Sequence, residues 1–393
     1  MRSEIRNIKI AYLIAALRTA WFFLGVWVFY YLLFTNYAGI GLIESILIIT
    51  MTTMEIPTGA LADLLGKKKT LTIAFLLQSA GIFSMALAPN FTVLAFSVFI
   101  ASLGGTLYSG TMEALVFDTL KEEGKEAFYD RVLANIKTYQ LIMMAACGAL
   151  GGFMYGYNPR LPFFACATAY FLALLLTFFL KEPTIDTIKF SLKNFVIQNK
   201  QGLIQLFKTI DIKRQTLMLL SIGGFLVIAD EMLNDILAVE FGFNEKQLGI
   251  FVAVIFLISA GISQIAPKIR RHFKETDAIL LMGGLIAITF AVSPLAGLFL
   301  GGLSLIFRAS FKTVYENLAS VIINNRTPSR YRATTISTFN MIKNLPYMIS
   351  AYFLGTLMDL FTAKRFAFVL GILLFFLILV QLLKFRSARA ASD

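Results

Sequence analysis

Gly59-Ala60-Leu61-Ala62-Asp63-Leu64-Leu65-Gly66-Lys67-Lys68-Lys69 joins two apolar runs, near 40–62 and 70–88, through a turn of only a few residues. A helix needs about 20 apolar residues to cross a bilayer, and each run supplies them. A glycine and three lysines separate the runs, so the chain meets a basic membrane surface, reverses and re-enters. Gly66 provides the backbone freedom for the reversal. Asp63, close to a helix end, can bond the free amides of a neighbouring helix terminus. Lys67, Lys68 and Lys69 can hold opposing acids or lipid phosphate.

The same pattern repeats outward in both directions. Apolar stretches fall near 9–34, 40–62, 70–88, 92–118, 132–156 and 162–180, and resume near 215–240, 247–266, 277–297, 299–322, 333–357 and 364–384. Polar punctuation such as Ala88-Pro89-Asn90 and Gly156-Tyr157-Asn158-Pro159 marks their ends. With 58% hydrophobic and 15% charged residues, the chain lacks the polar surface a soluble domain requires. The net charge of +12 sits between apolar runs, which favours a role in membrane orientation over nucleic-acid binding. Cys147 and Cys166 lie inside apolar segments, and the single histidine, His272, lies in a basic loop. No disulfide framework, metal site or cofactor loop is suggested. The first apolar stretch is too long for a signal-peptide core and is expected to be an uncleaved helix.

Of the 35 Lys and Arg, 26 fall on one side of this alternation and only Arg160, Lys246, Lys364 and Arg365 on the other, with the remaining five inside the spans. Positive residues favour the cytoplasm, so both termini are expected there, in the cell (inner) membrane. Residues 181–214 join an N-terminal bundle, 1–180, to a C-terminal one, 215–393. Their lysines alternate with Leu192, Val196, Leu203, Leu206 and Phe207 at near-helical spacing, which suits an interfacial amphipathic helix attracted to anionic lipid. The second half echoes the first at an offset of roughly 202 residues. Gly59 matches Gly261, Lys67–Lys69 overlie Ile269, Arg270 and Arg271, Met112-Glu113-Ala114-Leu115 matches Tyr315-Glu316-Asn317-Leu318, and Gly152 matches Gly355. The expected fold is an all-α membrane protein of twelve transmembrane helices in two pseudo-symmetric six-helix bundles.

The stretch 59–69 resembles the signature of the major facilitator superfamily between its second and third helices: a glycine, a small or apolar pair, Ala-Asp, a glycine turn and basic residues. The resemblance extends over the whole chain through the six-plus-six layout. It implies that Gly59, Asp63, Gly66, Lys67, Lys68 and Lys69 form a conformational latch that does not bind substrate. In the second half Ile265 stands where Asp63 stands in the first, so any latch there is degraded. Gly148-Ala149-Leu150-Gly151-Gly152 is similar to the glycine-rich signature of drug–proton antiporters, without its usual proline and one residue shorter. Close helix packing is the competing reading.

Ionisable residues within spans are costly, and their default reading is functional. By resemblance, helices 1, 4, 7 and 10 of the twelve line the central cavity. They carry Arg18; Glu113 and Asp118; Asp230, Glu231 and Asp235; and Arg308, Lys312 and Glu316. Arg308, Lys312 and Glu316 recur every fourth residue and share a face. Glu231 and Asp235 are also four apart, and two acids this close in a low dielectric repel. Asp230, Glu231 and Asp235 are therefore the proton-coupling candidates, with Arg308 and Lys312 as basic partners. Static ion pairs are the competing reading. Arg18, Glu113, Arg308, Lys312, Glu316 and Lys343 are the cavity or substrate candidates. Asp118, Asp130 and Arg131 are expected to pair as a cytoplasmic gate.

The leading expectation is a monomeric secondary transporter that moves a small organic solute by alternating access, with the proton as coupling ion and efflux ranked ahead of uptake. A mixed-charge cavity suits an amphiphilic, zwitterionic or anionic solute. Nutrient uptake by symport or uniport is the second reading, and a non-transporting scaffold or sensor the third. No nucleophile–base pair suggests an enzyme.

Overall fold

The computed structural model describes residues 2–184, 192–272, 275–328 and 331–390, with the side chains at 2–5, 55–57, 59–63, 192, 194–195, 263–272, 333 and 385–390 outside that description. Gly59 and the side chains of Asp63, Ile265, Ile269, Arg270, Arg271 and His272 are among the latter. The described residues form helices and short turns, with no strand among them. In chain order they are α1 (Arg2–Arg18), α2 (Trp27–Tyr31), α3 (Tyr37–Leu65), α4 (Lys67–Ala86), α5 (Phe91–Tyr108), α6 (Thr111–Glu122), α7 (Tyr129–Tyr157) and α8 (Leu161–Thr177). Then come α9 (Leu192–Leu206), α10 (Ile210–Ile228), a π-helical turn (Ala229–Leu233), α11 (Asn234–Glu240) and α12 (Glu245–His272). The chain ends with α13 (Glu275–Ala291), α14 (Leu298–Arg326), α15 (Arg332–Phe361) and α16 (Ala363–Ala390).

Each apolar stretch read from sequence carries a helix or a closely spaced pair. Among the described residues, seven helices are long and apolar enough to cross a membrane: Tyr37–Met54, Lys67–Ala86, Phe91–Glu122, Ile210–Glu240, Glu245–Ile262, Glu275–Leu295 and Ala363–Lys384. Others are shortened or charged. α8 is apolar but only 17 residues long, and α14 carries Arg308, Lys312 and Glu316. The first stretch, read as one helix over 9–34, is broken at 19–26.

Two compact units result. One comprises Met1–Thr35, Ile46–Phe195 and Glu245–Val254; the other comprises Asn36–Ser45, Val196–Asn244 and Ile255–Asp393. Each thus holds one short segment from the other half of the chain.

In the first unit, the broken stretch is covered by the glycines of α7. A side chain at Gly151 would collide with the Phe22 carbonyl, and a Cβ at Gly152 would stand 2.5 Å from the Glu245 carbonyl oxygen. Across from them, a Cβ at Gly249 would lie 2.8 Å from the Gly148 carbonyl oxygen, and one at Gly25 would lie 2.9 Å from Gly249 Cα. The glycines of 148–152 therefore serve backbone-to-backbone approach. Hydroxyl contacts reinforce this unit: Ser79 donates to the Ala167 carbonyl at 3.0 Å, and Thr72 and Thr177 share a bond of 2.9 Å.

In the second unit, the first turns of α3 lie on α15. Asp359 accepts from the Tyr37 and Ala38 amides at 3.0 and 2.9 Å, capping α3. α9 packs on α15 through Asn199, which bonds Thr338 at 3.3 Å. Val196, Ile197, Leu203 and Ile204 of α9 stay exposed beside Lys200.

Candidate functional site

The second unit gathers most of the intramembrane charge. Asp230 and Glu231 stand in the π-helical turn that interrupts α10–α11. Such turns insert an extra residue and frequently occur at functional sites. Lys312 Nζ donates to Asp230 Oδ2 and lies 3.8 Å from Glu316 Oε1. Lys312, Asp230 and Glu316 are 30, 40 and 50% exposed. Such charges are costly against lipid, so this face suits a water-filled cavity. Glu231 lies within electrostatic reach of Asp230, Lys312, Lys343 and Glu316. Lys343, half-buried on α15, lays its aliphatic chain on Gly223 of α10, where a Cβ would meet Cδ at 2.9 Å.

Arg308 behaves differently. It is 1% exposed, and every bond it makes among the described residues goes to a neutral oxygen. Nε donates to Thr289 Oγ1 at 3.2 Å, Nη1 to Asn234 Oδ1 at 3.0 Å, and Nη2 to the Thr289 carbonyl at 2.9 Å and Ser293 Oγ at 3.0 Å. The Phe290 ring lies 4.4 Å from the guanidinium carbon. The adjoining void, about 10 Å³, has room for no more than one water. The sequence pairing of Arg308 and Lys312 with Glu231 and Asp235 is corrected in part: Lys312 bonds Asp230 and lies within electrostatic reach of Glu231, while Arg308 bonds Asn234. α14 meets Asp230 and Asn234, each one residue earlier. Both sets are four apart, so periodicity allows either; packing of the π turn turns the first set toward α14. Asp235 lies instead within electrostatic reach of Glu44.

In the first unit, α1 ends at Arg18, where the backbone unwinds. The Arg18 guanidinium stands over three aromatic rings, 5.4 Å from Trp21, 5.4 Å from Tyr108 and 5.6 Å from Tyr170. Tyr170 Oη accepts from Arg18 Nη1 at 3.3 Å and from Trp21 Nε1 at 2.7 Å. Arg18 Nε is buried without a hydrogen-bond partner among the described residues. Irregular backbone at membrane depth is tolerated where it is buried or lines a wetted cavity. Glu113 is exposed near Tyr108 and Tyr129.

At the basic end of this unit, Asp118, 1% exposed, pairs with Lys67 at 2.7 Å. Its expected association with Arg131 is not seen. Asp130 and Arg131 are exposed, and neither makes an ion pair among the described residues.

The chain matches the profile of the Major Facilitator Superfamily over residues 10–351. The chain belongs to that superfamily. It is 22% identical over 371 residues to the uncharacterized MFS-type transporter YxaM of Bacillus subtilis, covering 90% of this chain and 89% of YxaM. Over 122 residues it is 32% identical to the multidrug resistance protein MdtH of Salmonella typhimurium, which is 31% of this chain and 28% of MdtH. The solved nucleoside transporter NupG superposes with a TM-score of 0.79 at 15% identity, covering 97% of this chain and 99% of NupG. The protein is thus an MFS-fold, multi-pass membrane transporter.

Within this facilitator the turn at 66–69 has partners that sequence reasoning missed. Gly66 has a φ of +87°, and no side chain of its own turn caps α4. Glu182 accepts from the Lys67 and Lys68 amides at 2.6 and 2.7 Å, and a Cβ at Gly66 would stand 2.9 Å from its Oε1. Lys68 Nζ reaches the Phe178 carbonyl at 2.8 Å, while Lys69 is exposed. Glu240 caps α16 likewise, accepting from Ala363 and Lys364 at 2.8 and 3.0 Å. For α4 the available signal was negative: a helix start preceded by Gly66, without Ser, Thr, Asp or Asn, needs an acceptor from elsewhere.

Proposed function

We propose that this transporter moves a small organic solute by alternating access, drawing on the proton gradient, with export ahead of uptake. The observation that supports it is the exposed group Asp230, Lys312 and Glu316, with Glu231 and Lys343 in electrostatic reach. A purely structural ion pair has no need of an exposed face at this depth. Glu231 is the proposed proton carrier and Lys312, through its changeable pairing with Asp230 and Glu316, the group that alters Glu231's electrostatic surroundings. Arg18 in its aromatic cage favours an anionic, zwitterionic or amphiphilic solute over a plain sugar. The likeness to a multidrug resistance protein over 122 residues inclines the reading toward export. The proposal includes an inner-membrane location with both termini cytoplasmic, a monomer, and 59–69 as the latch.

The test is purified protein in proteoliposomes, with proton flux followed across a compound panel. Glu231→Gln combined with Asp235→Asn should abolish gradient-driven accumulation at least tenfold and spare solute exchange. Undiminished accumulation in the double variant would place the coupling group elsewhere.

A further inference from the structure

On the first turns of α3, Gly41 presses so closely on Ala351 that a Cβ would stand 2.7 Å from its carbonyl carbon and 3.0 Å from Tyr352 Cα. The two helices run antiparallel here, because Tyr37 meets Asp359 while Gly41 meets Ala351. One turn deeper on these facing sides come Glu44 of α3 and Tyr347 of α15, from the three- and four-residue spacing of helix faces. Glu44 is 8% exposed and makes no hydrogen bond or ion pair among the described residues. Tyr347 is 1% exposed, and its hydroxyl is buried without a partner. Tyr347 lies within electrostatic reach of Glu44 and Glu231, and Glu44 within reach of Glu231 and Asp235. The charged neighbours of Glu44 are thus acids. With no cation bonded to it among the described residues and acids as neighbours, a charge on this carboxyl is costly, and a proton is what would neutralise it.

We infer that Glu44 is a proton-binding site of this transporter, loaded while the first turns of α3 are docked on α15. The carboxylate takes one proton, becoming an acid that can both donate to and accept from the Tyr347 hydroxyl. Asp359 holds the helix in place by capping its first amides. Undocking opens Glu44 to water, and the proton leaves to solvent. The inference rests on the proton-coupled reading but adds a residue that reading does not use.

The test is infrared titration of the full chain in lipid nanodiscs, with the proton as the only ligand. The carboxylic-acid carbonyl band should persist at neutral pH in the parent and vanish in Glu44→Gln. Tyr347→Phe should keep the band and shift its frequency. Asp359→Ala should lower its titration midpoint by about one pH unit or more, tenfold in proton affinity. A neutral-pH band untouched by Glu44→Gln, or absent from the parent, overturns the inference. A band that disappears only with Glu231→Gln or Asp235→Asn overturns it too, while upholding coupling at Glu231 or Asp235. Loss of the band in Glu44→Gln, in a protein that moves no protons in proteoliposomes, upholds the site and removes the coupling.

Discussion

Arg308 commits its donors to Thr289, Ser293, Asn234 and Ser304, the last at 3.4 Å, and sits against the Phe290 ring. Neutral oxygens can stabilise a buried guanidinium only if they surround it on several sides, because no single one offers a counter-charge. Removing the side chain leaves those oxygens without a donor inside the bilayer. Arg308→Ala should therefore cost about 3 kcal/mol or more, read as a lowered melting temperature in detergent. Arg308→Lys should recover little, since an ammonium cannot reach three directions in one plane. A melting curve unchanged in Arg308→Ala would mean the site is already solvated. Lys312 contrasts with it four residues on. It is 30% exposed and pairs with acids on an exposed face, so its substitution should touch transport before stability.

Helices here are closed at their ends by carboxylates from distant segments. Glu182 caps α4, Glu240 caps α16 and Asp359 caps α3, each by bonding two successive amides. A helix N-terminus carries a partial positive charge and unpaired donors, so one carboxylate answers both needs. Each bond also fastens one segment to another. Glu182→Ala should lower thermal stability by about 1–2 kcal/mol and slow transport, whereas Lys69→Ala, an exposed side chain of the same turn, should leave thermal stability unchanged. Equal melting temperatures for the two variants would remove the capping role. The unwound stretch 19–26 and the π turn at 229–233 are the other element-level departures from regular helix, and each adjoins a charged residue, Arg18 in one case and Asp230 with Glu231 in the other.

For the molecule as a whole, the basic residues make a prediction about sidedness. Cysteines introduced at 67–69, 181–214 and 268–274 should react with impermeant reagents in inverted vesicles and stay unreactive in sealed right-side-out ones. Labelling of 181–214 from outside would reverse the proposed topology. The sequence by itself determined the class, the helical stretches and the family, because apolar run length and the 59–69 turn are local properties that no packing choice can undo. It also located the charges, since an ionisable residue stands out against apolar neighbours. It could not say which of two pairs four residues apart, Asp230 with Asn234 or Glu231 with Asp235, bonds α14, and only packing around the π turn turned Asp230 and Asn234 that way. Nor could it tell that Arg308 lives among neutral oxygens, that Glu182 caps α4, or that Glu44 stands opposite Tyr347. Apart from Ser304, those partners come from 15 to more than 300 residues away. Such contacts are set by which helix faces meet, and helical periodicity names the faces without naming their partners.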